Sequence, residues 1–292
     1  GRTQQFADAA EDIATKIYKV RALYRGVIAS AEVEATLETP AQLPNSNMEE
    51  WHPVKLGTFS SMVGIFDFKD VDFYDFLPYD NGNTDVWWAT NNERARDYSV
   101  ARVEITSAAC VSYNEETKHN GNRSALIYTS GHGGGYVSSA IKILPESAFA
   151  GSLFIGNYHW NGKSEEITTG HRFTTRPSAF EFWYNYIPKN DDQFKVYIEL
   201  RNSDEIISSG EFIPATLSTS TGWVKGTISI PYPEQAKTAT SIFVQFLSTT
   251  KTSFSESDFD GNKSFSFPMM PNWHVHMGSM LYIDDLNLVY DK

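Results

Sequence analysis

The chain has one cysteine, Cys110, in 292 residues, so neither an intrachain disulfide nor a multi-cysteine metal site is open to it. That suits the cytoplasm and equally suits bacterial export, where many sandwich folds do without disulfides. Cations are scarce as well: 24 Lys and Arg stand against 36 Asp and Glu, a formal charge of −12. Nucleic-acid binding rests on clustered Lys and Arg, and so does attraction to anionic lipid, so neither partner is favoured. A neutral partner is easier to accommodate, and glycans are often neutral. No apolar run reaches transmembrane length and no signal peptide is present. Gly1, with no initiator Met before it, reads as a processed end, so the missing leader carries no information on location. There is no repeat, no low-complexity tract and no second helical block.

What the chain does have is rings. Hydrophobic residues make up 41% and aromatics 14%, with 19 Phe and 15 Tyr, a composition that suits strands. A chain of this size buries a substantial core without disulfides or metal as its main support. From about Tyr98 the pattern is strand, turn, strand. Ala125–Tyr128, Phe180–Ile187, Phe194–Arg201, Val224–Ile230, Ile242–Leu247 and Leu281–Val289 are the best strands. Residues 58–95 are rich in Phe, Tyr and Asp but hold few alternating runs, and Asp80-Asn-Gly82-Asn marks a turn. The pattern predicts an all-β antiparallel sandwich.

One helix is predicted ahead of it. Phe6, Ala9, Ile13, Ile17, Val20, Tyr24 and Val27 recur at three- and four-residue steps, giving an amphipathic helix over 3–29. Pro40 and Pro44 then frame a linker, so the chain divides into a helix and linker at 1–44 and a sandwich domain at 45–292.

One pair of strands reads in more detail. Phe180, Phe182, Tyr184 and Tyr186 share a face, as do Phe194, Val196, Ile198 and Leu200. If the two strands form a hairpin, pairing 182 with 200, Glu181 lies against Arg201 and Trp183 against Glu199. Trp183, Asn185, Tyr197 and Arg201 would then form one sugar platform, the rings covering C–H faces and the polar groups meeting hydroxyls. Glu181 and Glu199 would be a candidate catalytic pair, since glycoside hydrolysis needs two carboxylates across the scissile bond. The alternative is an ordinary solvated sheet face.

Further rings stand in polar contexts: Tyr158 and Trp160 in Tyr-His-Trp-Asn-Gly, Trp273 in Pro-Asn-Trp-His, and Trp87 and Trp88. Trp51 and Trp223 are assigned to packing. His274 and His276 alternate along a strand, but two ligands are too few for zinc. His132-Gly-Gly-Gly135 looks like an esterase oxyanion loop, yet no Gly-x-Ser-x-Gly nucleophile turn accompanies it, so acyl transfer lacks its central residue.

Several stretches in collinear order carry a resemblance. They are Asn45-Ser-Asn-Met-Glu49-Glu50-Trp51, Val86-Trp-Trp88-Ala-Thr90-Asn91, Ala150-Gly-Ser-Leu-Phe154-Ile-Gly156-Asn-Tyr158, Gly170-His-Arg-Phe173-Thr-Thr-Arg176-Pro177, Phe182-Trp183-Tyr184-Asn-Tyr186 and Gly278-Ser279-x-Leu281-x-Ile283-Asp284-Asp285. Together they resemble the putative carbohydrate-metabolism domain family found in secreted and lipid-anchored proteins of gut Bacteroidetes. Met48 replaces that family's usual aromatic, and Phe182-Trp183-Tyr184 stands where it has Gly-Tyr-Tyr. The short N-terminus also departs from relatives that carry an additional sandwich upstream. The resemblance implies a galactose-binding-like jelly roll, a role in carbohydrate binding or processing, and export, as a secreted, periplasmic or cell-surface protein, an outer-membrane lipoprotein whose leader has been removed. It also implies a structural Ca²⁺ shared by a Glu of the first strand and an Asp of the last, at Glu49 and Asp284 or Asp285. It supplies no catalytic mechanism.

Three functions follow as expectations. The first is a non-catalytic carbohydrate-binding protein of a bacterial glycan-utilisation system, with a glycan and other surface glycan-utilisation proteins as partners. The second is a glycoside hydrolase, and the third a structural or adhesion protein of the cell surface.

Overall fold

The computed structural model describes residues 17–20, 23–24, 27–28, 33–36, 40–62, 68–95, 109–132, 147–215, 222–233, 237–260 and 262–290. The helix expected over 3–29 is corrected where it can be compared. Strands β1 (Ile17–Val20), β2 (Leu23–Tyr24), β3 (Val27–Ile28) and β4 (Val33–Thr36) run through and beyond its second half, β1 pairing with β4 and β2 with β3. Residues 3–16 lie outside the described residues. The reason is local: Ile17, Tyr18, Val20, Tyr24, Val27 and Ile28 are β-branched or aromatic, and their propensity wins over a helical spacing that short segments also meet by chance. A second antiparallel ribbon follows, β5 (His52–Met62) with β6 (Phe68–Leu77).

The next strands are β7 (Trp88–Thr90), β8 (Val111–Asn114), β9 (Ser124–His132) and β10 (Ser147–Phe149). After them come β11 (Ser152–Trp160), β12 (Glu165–Thr169), β13 (His171–Arg172), β14 (Ala179–Ile187) and β15 (Lys195–Asn202). The last are β16 (Glu205–Phe212), β17 (Val224–Ser229), β18 (Ser241–Leu247), β19 (Asn262–Phe267) and β20 (Met270–Val289). They form two seven-stranded sheets, one ordered β10-β9-β20-β14-β17 with β8 and β19 attached, the other β12-β11-β18-β15-β16 with β7 and β13 attached. Every pairing among the described strands is antiparallel. Each strand expected from the sequence is present.

The sheets stack face to face through the alternating rings. Phe246 of β18 reaches across to Phe180 and Phe182 of β14, at ring-centroid distances of 6.2 and 5.8 Å. Phe194 meets Tyr184 and Tyr186 at 4.8 and 4.9 Å. Trp88, Leu153, Ile155, Val196, Ile198 and Leu200 complete the interior. Trp88 is thus a core residue, not an exposed ring, as is Trp51, whose Nε1 donates to the Met48 carbonyl at 2.7 Å. Cys110 is buried, donates to Asn91 Oδ1 at 3.0 Å, and burial pushes its thiol pKa well up.

The expected hairpin is the main correction. Phe180, Phe182, Tyr184 and Tyr186 do face Phe194, Val196, Ile198 and Leu200, but across the sandwich. β14 lies between β17 and β20, and β15 between β16 and β18. Asn190 and Asp191, at φ of 49° and 55°, turn the chain out of the first sheet. The buried Asp192 carboxylate then holds the arch, accepting from the Gln193 N–H, from Thr249 Oγ1 after β18 and from Ser279 Oγ in β20. One side chain therefore ties both sheets at the crossing.

The segment around Pro40 and Pro44 is also more than a linker. Gln42 exchanges two hydrogen bonds of 2.7 Å with the Leu288 backbone, Leu43 is buried, and Trp88 Nε1 donates to the Pro44 carbonyl at 2.8 Å.

Candidate functional site

The two outer faces of the sandwich divide the residues that the sequence placed together. Glu181, Trp183 and Asn185 point outward from β14, while Tyr197, Glu199 and Arg201 point outward from β15 on the opposite side. The candidate catalytic pair Glu181 and Glu199 is therefore split by the full thickness of two packed sheets, whose midplanes are about 10 Å apart. The platform of Trp183, Asn185, Tyr197 and Arg201 is split with it. Alternation fixes which face of a strand is buried, and it leaves open which strand lies beside it.

On the β15 side, Glu199 is almost fully buried and is held by Tyr197 OH at 2.7 Å and by a short contact from Arg201 Nε. Tyr158 and Trp160 sit further along β11, where Gly156, at φ 149°, leaves no room for a Cβ: one would stand 2.1 Å from the Thr168 carbonyl oxygen. Tyr158 OH donates to Glu165 at 2.9 Å, and the Arg94 guanidinium lies 5.5 Å from the Trp160 ring centre. Trp273 pairs with Phe265 in the β19–β20 ladder, and its side chain lies outside the described atoms. His276 is buried within β20 with neither ring nitrogen hydrogen-bonded.

The β14 side carries a site. An open cleft of about 330 Å³ is lined by Ser46, Asn47, Asn120, Glu181, Trp183, Lys225, Asp285, Leu286 and Asn287. It is shaped by a β-bulge. Glu181 pairs with Asn287 and Trp183 with Asp284, leaving Asp285 and Leu286 opposite a single residue. Asp285 takes a left-handed φ of 46°, so the two consecutive carboxylates part company. Asp284 is fully buried, whereas Asp285 faces the cleft.

A loop after β8 completes the wall, and carboxylates pin it. Asp284 Oδ2 accepts from the His119 and Asn120 N–H groups at 2.9 and 3.2 Å, and its Oδ1 accepts from the Asp285 N–H at 2.8 Å. Glu49 Oε1 accepts from the Asn122 and Arg123 N–H groups at 2.6 and 3.2 Å. Gly121, at φ 63°, lets Glu49 approach: a Cβ there would stand 1.9 Å from Glu49 Oε1. So held, the His119 ring stacks on Trp183 at 4.0 Å with 15° between planes, and Trp223 meets it edge-on at 5.8 Å. His119 Nδ1 lies 2.6 Å from Asp285 Oδ2, which also accepts from Asn120 Nδ2 at 2.5 Å.

Of the expected site residues, this cleft brings together Glu181, Trp183 and Asp285, with Asp284 beneath. Asn185 lies two residues along the same face, buried, with its Oδ1 unpartnered. His119, Asn120, Asn47, Lys225 and Asn287 were not foreseen, while Trp223, assigned to packing, packs against the core and also meets the His119 ring. The polar run Lys118-His-Asn-Gly-Asn-Arg123 was the one available signal for a structured turn.

The calcium expectation can be compared with these oxygens. Both Asp284 oxygens and Glu49 Oε1 accept N–H hydrogen bonds. Among the described residues no three His, Cys, Asp or Glu side chains gather as a metal set.

Two carboxylates set opposite pH trends. Burial pushes Asp284 up to about 6, against the His119 and Asn120 N–H groups, which pull it down. Burial also pushes Asp258 up, but Lys251, the Ser255 N–H and Asn190 together outweigh it and leave it at about 2. Asp284 contributes stability that is fully present below its ordinary value of 3.8 and lost as pH rises through about 6. Asp258 contributes stability present above 3.8 and lost as pH falls through about 2. Denaturant titrations across pH are expected to show unfolding free energy dropping by roughly 2–3 kcal/mol from about pH 4 to about pH 7.5 on the Asp284 account. Asp284→Asn should flatten that limb and leave the acid limb in place.

No protein-family model and no curated protein matches the chain. Among solved structures, a putative glycoside hydrolase from Bacteroides thetaiotaomicron is similar at 15% identity and a TM-score of 0.49, over 82% of this chain and 72% of that one. A putative glycoside hydrolase from Bacteroides vulgatus gives 13% identity and a TM-score of 0.49, over 84% of this chain and 97% of that one. The carbohydrate-binding module TmCBM61, solved with β-1,4-galactotriose, gives 9% identity and a TM-score of 0.31, over 70% of this chain and 88% of that one.

Proposed function

We propose that this sandwich binds carbohydrate in the Trp183 cleft and does so without catalysis. One observation carries the reading: a tryptophan wall bordered by amides and carboxylates, held in place by a pinned loop. Saccharides are recognised by that combination, a ring against C–H groups and polar side chains against hydroxyls.

The hydrolase alternative loses its pair, because Glu181 and Glu199 occupy opposite faces. Glu181 itself is engaged. The Lys225 ammonium at 2.8 Å holds it below the usual carboxylate range, with help from Asn287 and against some burial. That is the reverse of what a general acid needs.

By the resemblance across 45–290, the protein works outside the cytoplasm beside other glycan-harvesting proteins of the cell surface. No helix among the described residues is long and apolar enough to cross a membrane. A polysaccharide and oligosaccharide panel tests the function. Binding with no release of reducing ends supports it, release of reducing ends favours hydrolysis, and silence in both assays favours the adhesion reading. Excess EDTA is expected to leave both Tm and saccharide binding unchanged, since N–H groups already satisfy Glu49 and Asp284. A fall in Tm would favour the calcium expected at Glu49 and Asp284 or Asp285.

A further inference from the structure

The charges of the cleft lining are unevenly balanced, and the imbalance favours one kind of ligand. Asn120 gives its Nδ2 to Asp285, and Asn287 gives its Nδ2 to Glu181 Oε2 at 3.3 Å. Lys225, the cation in the cleft lining, is tied to Glu181 Oε1 at 2.8 Å. The charges lining the cleft are what remain to be weighed. Glu181 and Lys225 cancel, Asp285 shares the rim with His119, and Asp284 lies directly beneath.

Resting on the carbohydrate reading of this site, we infer that the cleft selects neutral or amine-bearing saccharides and rejects acidic ones such as uronates and sulfated sugars. An ammonium group is attracted by the Asp285 carboxylate, and a neutral sugar meets no like charge there. A uronate carboxylate or a sulfate ester meets like charge at Asp285.

The test uses the full chain on an array of neutral, amine-bearing, uronate and sulfated oligosaccharides immobilised at equal density. Hits confined to the first two classes, and lost with Trp183→Ala, are the expected result. The best hit is then compared by calorimetry with its counterpart oxidised to the uronate at C6. Oxidation should weaken binding at least about ten-fold, a gap that Asp285→Asn or Glu181→Gln narrows to about three-fold or less. Acidic glycans bound as tightly as neutral ones would overturn the selectivity while leaving the carbohydrate reading intact. A gap unmoved by either substitution would overturn its assignment to these carboxylates. No hit in any class, or hits that Trp183→Ala leaves untouched, would overturn the carbohydrate reading itself and the inference with it.

Discussion

Trp183→Ala is expected to weaken saccharide binding at least about thirty-fold, the loss typical of removing a central aromatic anchor worth about 2 kcal/mol. Two things go at once. The ring that borders the cleft disappears, and so does the surface on which His119 stacks at 4.0 Å, which frees the imidazole that meets Asp285. Trp183→Phe keeps a ring there and should retain most of the affinity. Trp160→Ala is the informative control. That ring lies on the other sheet beside Arg94, so its removal should change binding less than about two-fold if Trp183 is the anchor. Titration calorimetry on the three variants decides the matter, and the reverse ranking would move the site to the β11–β12 hairpin.

Phe246→Ala should cost about 3–5 kcal/mol of unfolding free energy, the usual range for emptying a buried phenylalanine site. Phe246 is fully buried and touches rings from both layers, Trp88 at 6.3 Å on its own sheet and Phe180 and Phe182 across the interior. The cavity would open at the centre of the interface, where neither sheet can collapse without unstacking the other. Phe246→Leu should cost about 1–1.5 kcal/mol by comparison. Urea titrations with an unchanged m-value would check both, and a loss under about 1 kcal/mol for the alanine variant would mean that the two sheets are not packed through this ring.

The sandwich was legible because period-two alternation is a local signal, written residue by residue in stretches such as Phe180 to Tyr186. Neighbour relations were not. Whether β14 and β15 form a hairpin or an arch depends on Asn190 and Asp191 turning left-handed and on Asp192 finding Thr249 and Ser279, contacts 57 and 87 residues away in sequence. The site inherited that error, since the sugar platform and the Glu181–Glu199 pair both presumed the hairpin. Trp183 was found because an outward tryptophan on an alternating strand stands out by itself. His119 was not, because its place is set by Asp284, 165 residues distant. The ribbon β5–β6 escaped notice for another reason: its register shifts between Lys55 and Gly57, which breaks the alternation midway. At the N-terminus a helical spacing and strand-forming residues disagreed, and the residues were the better guide.

The zipper between Gln42 and Leu288 brings the beginning and the end of the sandwich side by side, while Ser46, Asn47, Leu286 and Asn287 stand on the cleft rim. Any polypeptide joined on either side of 41–290 therefore departs from one spot, only a few residues from that rim. A second module tethered there would find its own ligand contacts at high effective concentration, so two weak grips on the same chain of sugars would act as one strong one.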